Sequence, residues 1–178
     1  MIKANVKIRG TAPLLQHRYP DEAEDKKSIK KTGRADYSLE AEDNLFRGKD
    51  GVIYEPSDHI EGCMRKSAVN FQITGRGKKT YKDLVLSSIV VTPEQIPLTP
   101  QEYTIDKRNV IINRSRVSRY RPRWDEWGLE FTVKILDAQF APEVVKEILE
   151  YGGAAIGIGD YRPKFGRFEV TSFEVDTS

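Results

Sequence analysis

The sequence predicts an α+β fold in a single domain, residues 1–178, with strands and helices in the order β–α–β–β–α–β. Three observations predict it. Segments 2–9 and 129–135 alternate apolar and polar residues, the period of a half-buried strand. Segments 56–71 and 142–151 repeat apolar residues at helical spacing. Strand-like runs at 84–91 and 168–175 complete the series. That order is the split βαβ, ferredoxin-like (RRM-like) arrangement. Two insertions interrupt it: a long loop after the first strand, residues 16–55, and a basic hairpin between the second and third strands, residues 93–126.

In the first strand Ile2, Ala4, Val6 and Ile8 share a side, and Pro13 closes the segment. Residues 16–55 are charged and irregular, with Phe46, Val52, Ile53 and Tyr54 available to dock their end onto the core. The first helix opens on Asp58 and Glu61, a capping-box pattern with Asp as the cap. Ile60, Cys63, Met64, Ala68 and Phe71 form its apolar stripe. Gly62 inside it costs about 1 kcal/mol against Ala, a cost that close approach to the backbone would explain. LVLSSIVV, residues 84–91, is apolar on both sides and predicts a central second strand. Pro93, Pro97 and Pro100 follow. Val110–Ile112 predicts a short strand that can pair near Tyr103 into a protruding hairpin. Leu129, Phe131, Val133 and Ile135 face one way in the third long strand. Pro142 suits a first helical turn, Val144, Val145, Ile148 and Leu149 make one stripe, and Gly152-Gly153 predict the stop of the second helix. A glycine-bearing loop, AAIGIGDYRPKFGR, leads into a last strand, where Phe168, Val170, Phe173 and Val175 break phase once and predict a bulge.

Composition narrows the function. No apolar run approaches the roughly 20 residues of a membrane span, and the start lacks an apolar signal core, so a cytoplasmic protein without membrane contact is expected. One Cys and two His exclude a disulfide and a Cys/His zinc cluster within the chain, and no cofactor is implied. Cys63 reads as a small core residue rather than a nucleophile. Net charge is only +2, but it is segregated. Residues 114–124 (RSRVSRYRPRW) hold five Arg and no acid, and 75–82 (GRGKKTYK) hold four basic residues, Arg76, Lys78 and Lys79 among them. Acids gather elsewhere, as in DEAED at 21–25. Such segregation can make a basic stripe on a nearly neutral protein.

Two segments could carry chemistry. Arg114, Arg116, Arg119, Arg121 and Arg123 are interleaved with Tyr120 and Trp124. Guanidinium forks pair with phosphates and aromatic faces stack on bases. The same pattern also fits a solvated basic hairpin or a surface for an acidic protein. The loop Gly157 to Arg167 combines Gly157 and Gly159, which let backbone amides approach phosphates, with Arg162, Lys164 and Arg167. It lacks the Gly-Lys-Ser/Thr ending of a Walker loop and feeds a strand, which disfavours nucleotide hydrolysis.

GIGDYRPKFGRFEV resembles the C-terminal glycine-rich loop and closing strand of the RAMP superfamily, the repeat-associated proteins of CRISPR systems. Upstream, Ile53 to Arg65 (IYEPSDHIEGCMR) resembles that family's approach to its first helix, although Glu61 stands where the family carries a basic residue. The resemblance implies RNA binding, often as a repeated subunit along a guide RNA. The first helix, with Arg65 and Lys66 on phosphates, and the glycine-rich loop would face the strand, and the hairpin would act as a thumb. Some members cleave RNA, by an Asp before the first helix, where Asp43 lies, or by a His, for which His17 or His59 would serve. His17, beside Arg18 and Tyr19, is the better placed.

The expectation is therefore non-catalytic binding of single-stranded nucleic acid, RNA before DNA, with self-association or other ribonucleoprotein subunits as partners. The alternatives are an endoribonuclease on the same scaffold, and a protein-interaction or inhibitor module of a phage or mobile element that uses the basic hairpin.

Overall fold

The computed structural model of the chain describes residues 1–19 and 37–176. The acidic run at 21–25 and most of the first half of the expected insertion lie outside the described residues. The fold is α+β, with antiparallel sheets and, among the described residues, four helices.

The main sheet is built around β1 (Ile2–Gly10). On one side β1 pairs with β8 (Gly128–Ile135), from Ile2↔Ile135 to Arg9↔Gly128. On the other it pairs with β9 (Phe168–Val175), from Gly10↔Phe168 to Ala4↔Val175. The register slips between Lys7 and Ile8, which is the phase break in the apolar pattern of the last strand. β4 (Ile89–Thr92) adds to β8, and the order is β4-β8-β1-β9 with every neighbour antiparallel.

Two helices, α2 (Ser57–Ala68) and α4 (Pro142–Ala155), bury one face of this sheet. Ala4, Val6 and Ile8 of β1 and the alternate residues of β8 meet Ile60, Met64, Ile148 and Leu149 in one core. The opposite face is polar: Thr132 Oγ1 donates to Asn5 Oδ1 at 3.0 Å, Lys7 pairs with Glu130 at 3.0 Å, and Arg9 pairs with Glu169.

Three expectations are corrected. LVLSSIVV is not one strand: α3 (Lys82–Ser88) takes its first half, and only Ile89 onward is extended, at the sheet's edge rather than its centre. A short apolar run cannot separate strand from helix by period alone; here burial of Val85 and Ser88, three apart, selects the helix. Gly152 and Gly153 do not stop α4 but lie within it. A Cβ on Gly152 would lie 2.9 Å from Cys63 Sγ, and one on Gly153 would collide with the Phe168 carbonyl, so the glycines let α4 close on α2 and β9. Finally, no side chain caps α2. Glu61 instead accepts the Val91 N–H at 2.8 Å, satisfying an amide on the open margin of β4.

A second sheet stands beside the first. β6 (Thr104–Ile112) and β7 (Ser115–Trp124) form a hairpin longer than the sequence suggests. Asn113 and Arg114, both at positive φ, make its two-residue turn, the geometry that suits twisted antiparallel strands. β2 (Leu14–Leu15) pairs with the base of β7, and α1 (Tyr37–Asp43) packs along it. β3 (Tyr54–Pro56) pairs with β5 (Gln95–Pro97), and Ile53 joins the core, as the docking of the insertion's end requires. No helix among the described residues is long and apolar enough to cross a membrane.

Candidate nucleic-acid interface

The glycine-rich loop between α4 and β9 is the joint of the molecule. Gly157 donates to Gly152 O at 2.8 Å, Ile158 to Gly166 O at 3.0 Å, Asp160 to Leu15 O at 2.8 Å and Gly166 to Pro13 O at 2.8 Å. Several amides expected to meet phosphate are thus committed inside the protein, Gly157 included. Gly166 has φ 76°, and a Cβ there would collide with the Ile158 carbonyl; Gly159 has φ 77°, and its Cβ would lie 2.6 Å from Leu15 O. Close packing and left-handed backbone explain these glycines. Ile158 and Phe165 are buried anchors, which leaves Tyr161, Arg162, Lys164 and Arg167 on the outside.

Cys63 shows what lies beside this loop. Burial pushes its thiol up to about 12, opposed by the charges of Arg162 and Lys66 and by a hydrogen bond from the Gly157 backbone. The second half of α2 and the glycine-rich loop therefore meet at one buried sulfur, and Lys66 and Arg162 are exposed on those two elements. Arg65 is exposed one residue before Lys66. Arg65, Lys66, Arg162, Lys164 and Arg167 have no carboxylate within 4.0 Å among the described residues. Arg76, Lys78 and Lys79 are exposed on a separate turn, held by Ile73 N–H to Lys79 O at 2.8 Å.

The Arg-rich strand does not form one basic stripe. Pairing puts Arg116 opposite Ile111, while Arg119, Arg121 and Arg123 alternate onto the other face with Arg108 and Asp106. On that face Arg121, 8% exposed, meets Asp160 at 2.7 Å and donates to His17 Nδ1 at 3.2 Å. Asp106 holds Arg108 at 2.7 Å and Arg123 at 3.0 Å, Arg123 also meets Asp125 at 2.7 Å, and Arg119 reaches Glu40 at 3.5 Å. Tyr120 and Trp124 are 5% and 2% exposed, so neither offers a ring face for stacking. Only Arg114 and Arg116, at the tip, are exposed with no acid partner among the described residues.

The candidate catalytic groups are held apart from any metal-binding arrangement: no group of three or more His, Cys, Asp or Glu among the described residues is placed to hold a metal ion. Asp43 ends α1 in an exposed position. His17 is held below its ordinary 6.5 by burial first and by the Arg121 charge second, with Asp160 pulling the other way. His59 pairs with the fully buried Glu55 at 2.5 Å, and Gln16 donates to the same carboxylate at 2.8 Å, a tie between the insertion and α2.

The open face of the main sheet carries no aromatic residue at its outward strand positions. RRM-type sheets stack bases on such residues, so this face lacks that means of recognition. Sequence reasoning passed over two residues beside the loop: Arg108, whose guanidinium lies 4.4 Å from the Phe165 ring centroid and 5.0 Å from that of Tyr161, and Tyr161 itself, 47% exposed. An aromatic set between Asp160 and Arg162 in a glycine-bearing loop was the available signal.

No protein-family model and no curated protein matches the sequence. Among solved structures, the chain is similar to one of the type III-B Cmr-beta bound to cognate target RNA, with a TM-score of 0.59 and 11% identity. The match covers 98% of this chain and 60% of the other, so the chain spans about three-fifths of the length of the protein it matches. At that identity the likeness is one of fold.

Proposed function

We propose that the chain is a non-catalytic, RAMP-like subunit that binds single-stranded nucleic acid, RNA in preference to DNA, and joins copies of itself or other subunits along the strand. The ferredoxin-like reading of its core is supported by the order of the main-sheet strands and the two helices packed on them, β1, α2, β4, β8, α4, β9, and by the sheet order β4-β8-β1-β9. The RNA-bound complex among the similar solved structures lends the context. The observation that carries the function is the contact between α2 and the glycine-rich loop: the Gly157 backbone hydrogen-bonds the Cys63 thiol of α2, and Lys66 and Arg162, exposed on these two elements, have no carboxylate partner among the described residues. Unpaired cations on two contacting elements that are distant in sequence suit a phosphate backbone. The hairpin tip, with Arg114 and Arg116, is the thumb of this reading. Non-catalytic binding accords with His17, whose Nδ1 accepts from Arg121 and whose proton affinity is lowered.

The test is anisotropy of labelled single strands against the parent and a variant with Arg65, Lys66, Arg162 and Lys164 all changed to Ala. Affinity at fixed salt should fall at least about tenfold, and the slope of log K against log salt should flatten by roughly 0.7 for each phosphate that is no longer neutralised. Equal affinity and slope in the two proteins would overturn the reading.

A further inference from the structure

Tyr161 has the geometry of a base-stacking platform. Its φ of 59° lies in the left-handed region, which bulky side chains rarely adopt. Strain of this kind persists where surrounding structure imposes it, and it gathers at functional sites. Here the neighbours impose it: Asp160 N–H is bonded to Leu15 O, and the Tyr161 carbonyl accepts the Phe165 N–H at 3.2 Å. The ring is thereby turned outward rather than into the core. Two side chains contact the ring, and a third holds one of them. The Arg108 guanidinium lies against the ring, 5.0 Å from the centroid; Phe165 meets it at 5.8 Å and 73°; and Asp106 fixes Arg108 from behind at 2.7 Å. Nearly half of Tyr161 remains exposed, 47%. With a cation over the ring and nearly half of the residue exposed, Tyr161 has surface left for one more planar partner. Arg162 follows it directly and Lys164 comes two residues later, both exposed and without a described carboxylate partner.

We infer that Tyr161 stacks an unpaired nucleobase of the bound strand while Arg162 and Lys164 hold the flanking phosphates. The inference rests on the single-strand reading above and adds where a base, rather than the backbone, is held. Stacking uses the π-face that every base has, so the contact takes ribo- and deoxyribonucleotides alike and selects against duplex, whose bases are already stacked.

The experiment uses the full chain with labelled rU, rA and dT oligomers of roughly 10 nucleotides. Tyr161→Asn keeps a residue that tolerates the left-handed backbone and removes the ring; affinity should fall about tenfold for all three probes, with melting temperature no lower than the parent's. Tyr161→Phe keeps the π-face and should bind within about twofold of the parent. In Tyr161→Trp the new indole is the exposed emitter, since Trp124 and Trp127 are 2% and 3% exposed, and saturating oligomer should quench it. A Tyr161→Asn protein that binds like the parent, or an indole that is not quenched while the strand binds, would overturn the platform and leave the backbone reading standing. A parent that binds none of the probes at low salt would overturn both.

Discussion

At the scale of single residues, legibility depends on whether a residue's partner lies near it in sequence. The i+2 spacing of Arg119, Arg121 and Arg123 already places them on one face of a strand, and Arg116 on the other. Their partners Glu40, Asp160 and Asp106 come from other elements, and no local pattern announces them. Cys63 is readable as core because it falls on the helix's apolar stripe. His17 has the side chain for acid–base work, and the structure gives it a different physical consequence. Burial and Arg121 hold its imidazole below 6.5, so the unfolded chain takes up the proton first. Stability should be undiminished above about pH 6.5 and decline as pH falls from there through the lowered folded value. In urea titrations from about pH 7.5 to 5, His17→Asn should flatten that decline relative to the parent. Parallel curves for the two proteins would show that another group governs it.

At the scale of elements, the long amphipathic ones are legible and the short ones are not. β1, β8, α2 and α4 each carry a clean period over 8 residues or more, so their sequence alone selects both type and buried face. α3 and β4 divide eight apolar residues between them, too few for period to decide. The hairpin is expected from its basic strand, but its length is hidden because β6 mixes polar and apolar residues on both faces. What stiffens the hairpin is Asp106, 8% exposed, between Arg108 and Arg123. Asp106→Asn would leave the partly buried Arg108 without a counter-charge and Arg123 with Asp125 alone, at a cost of about 2 kcal/mol. Amide exchange should then accelerate through β6 and β7 while α2 and α4 keep their protection. Unchanged exchange in the hairpin would mean that its strand pairing suffices.

At the scale of the whole molecule, the mixed α+β class is legible and the way the elements share a centre is not. A glycine-rich loop near the end of the chain grips residues 13–15 near its start, and β1 lies between two strands drawn from residues 128–175. β1 thus finds its sheet neighbours only after residues 128–175 have been made. Loop closure over such separations is slow, because the entropy of the intervening chain is lost before any contact repays it. A chain cut after Trp127 should show no protected amides in β1 by hydrogen exchange, whereas the full chain protects them; protection in the fragment would show that α2 and the hairpin alone can hold the strand. During synthesis, then, the edges of residues 2–9 stay unpaired until residues 128–175 have left the ribosome, and in that interval the strand is open to wrong partners and to chaperones.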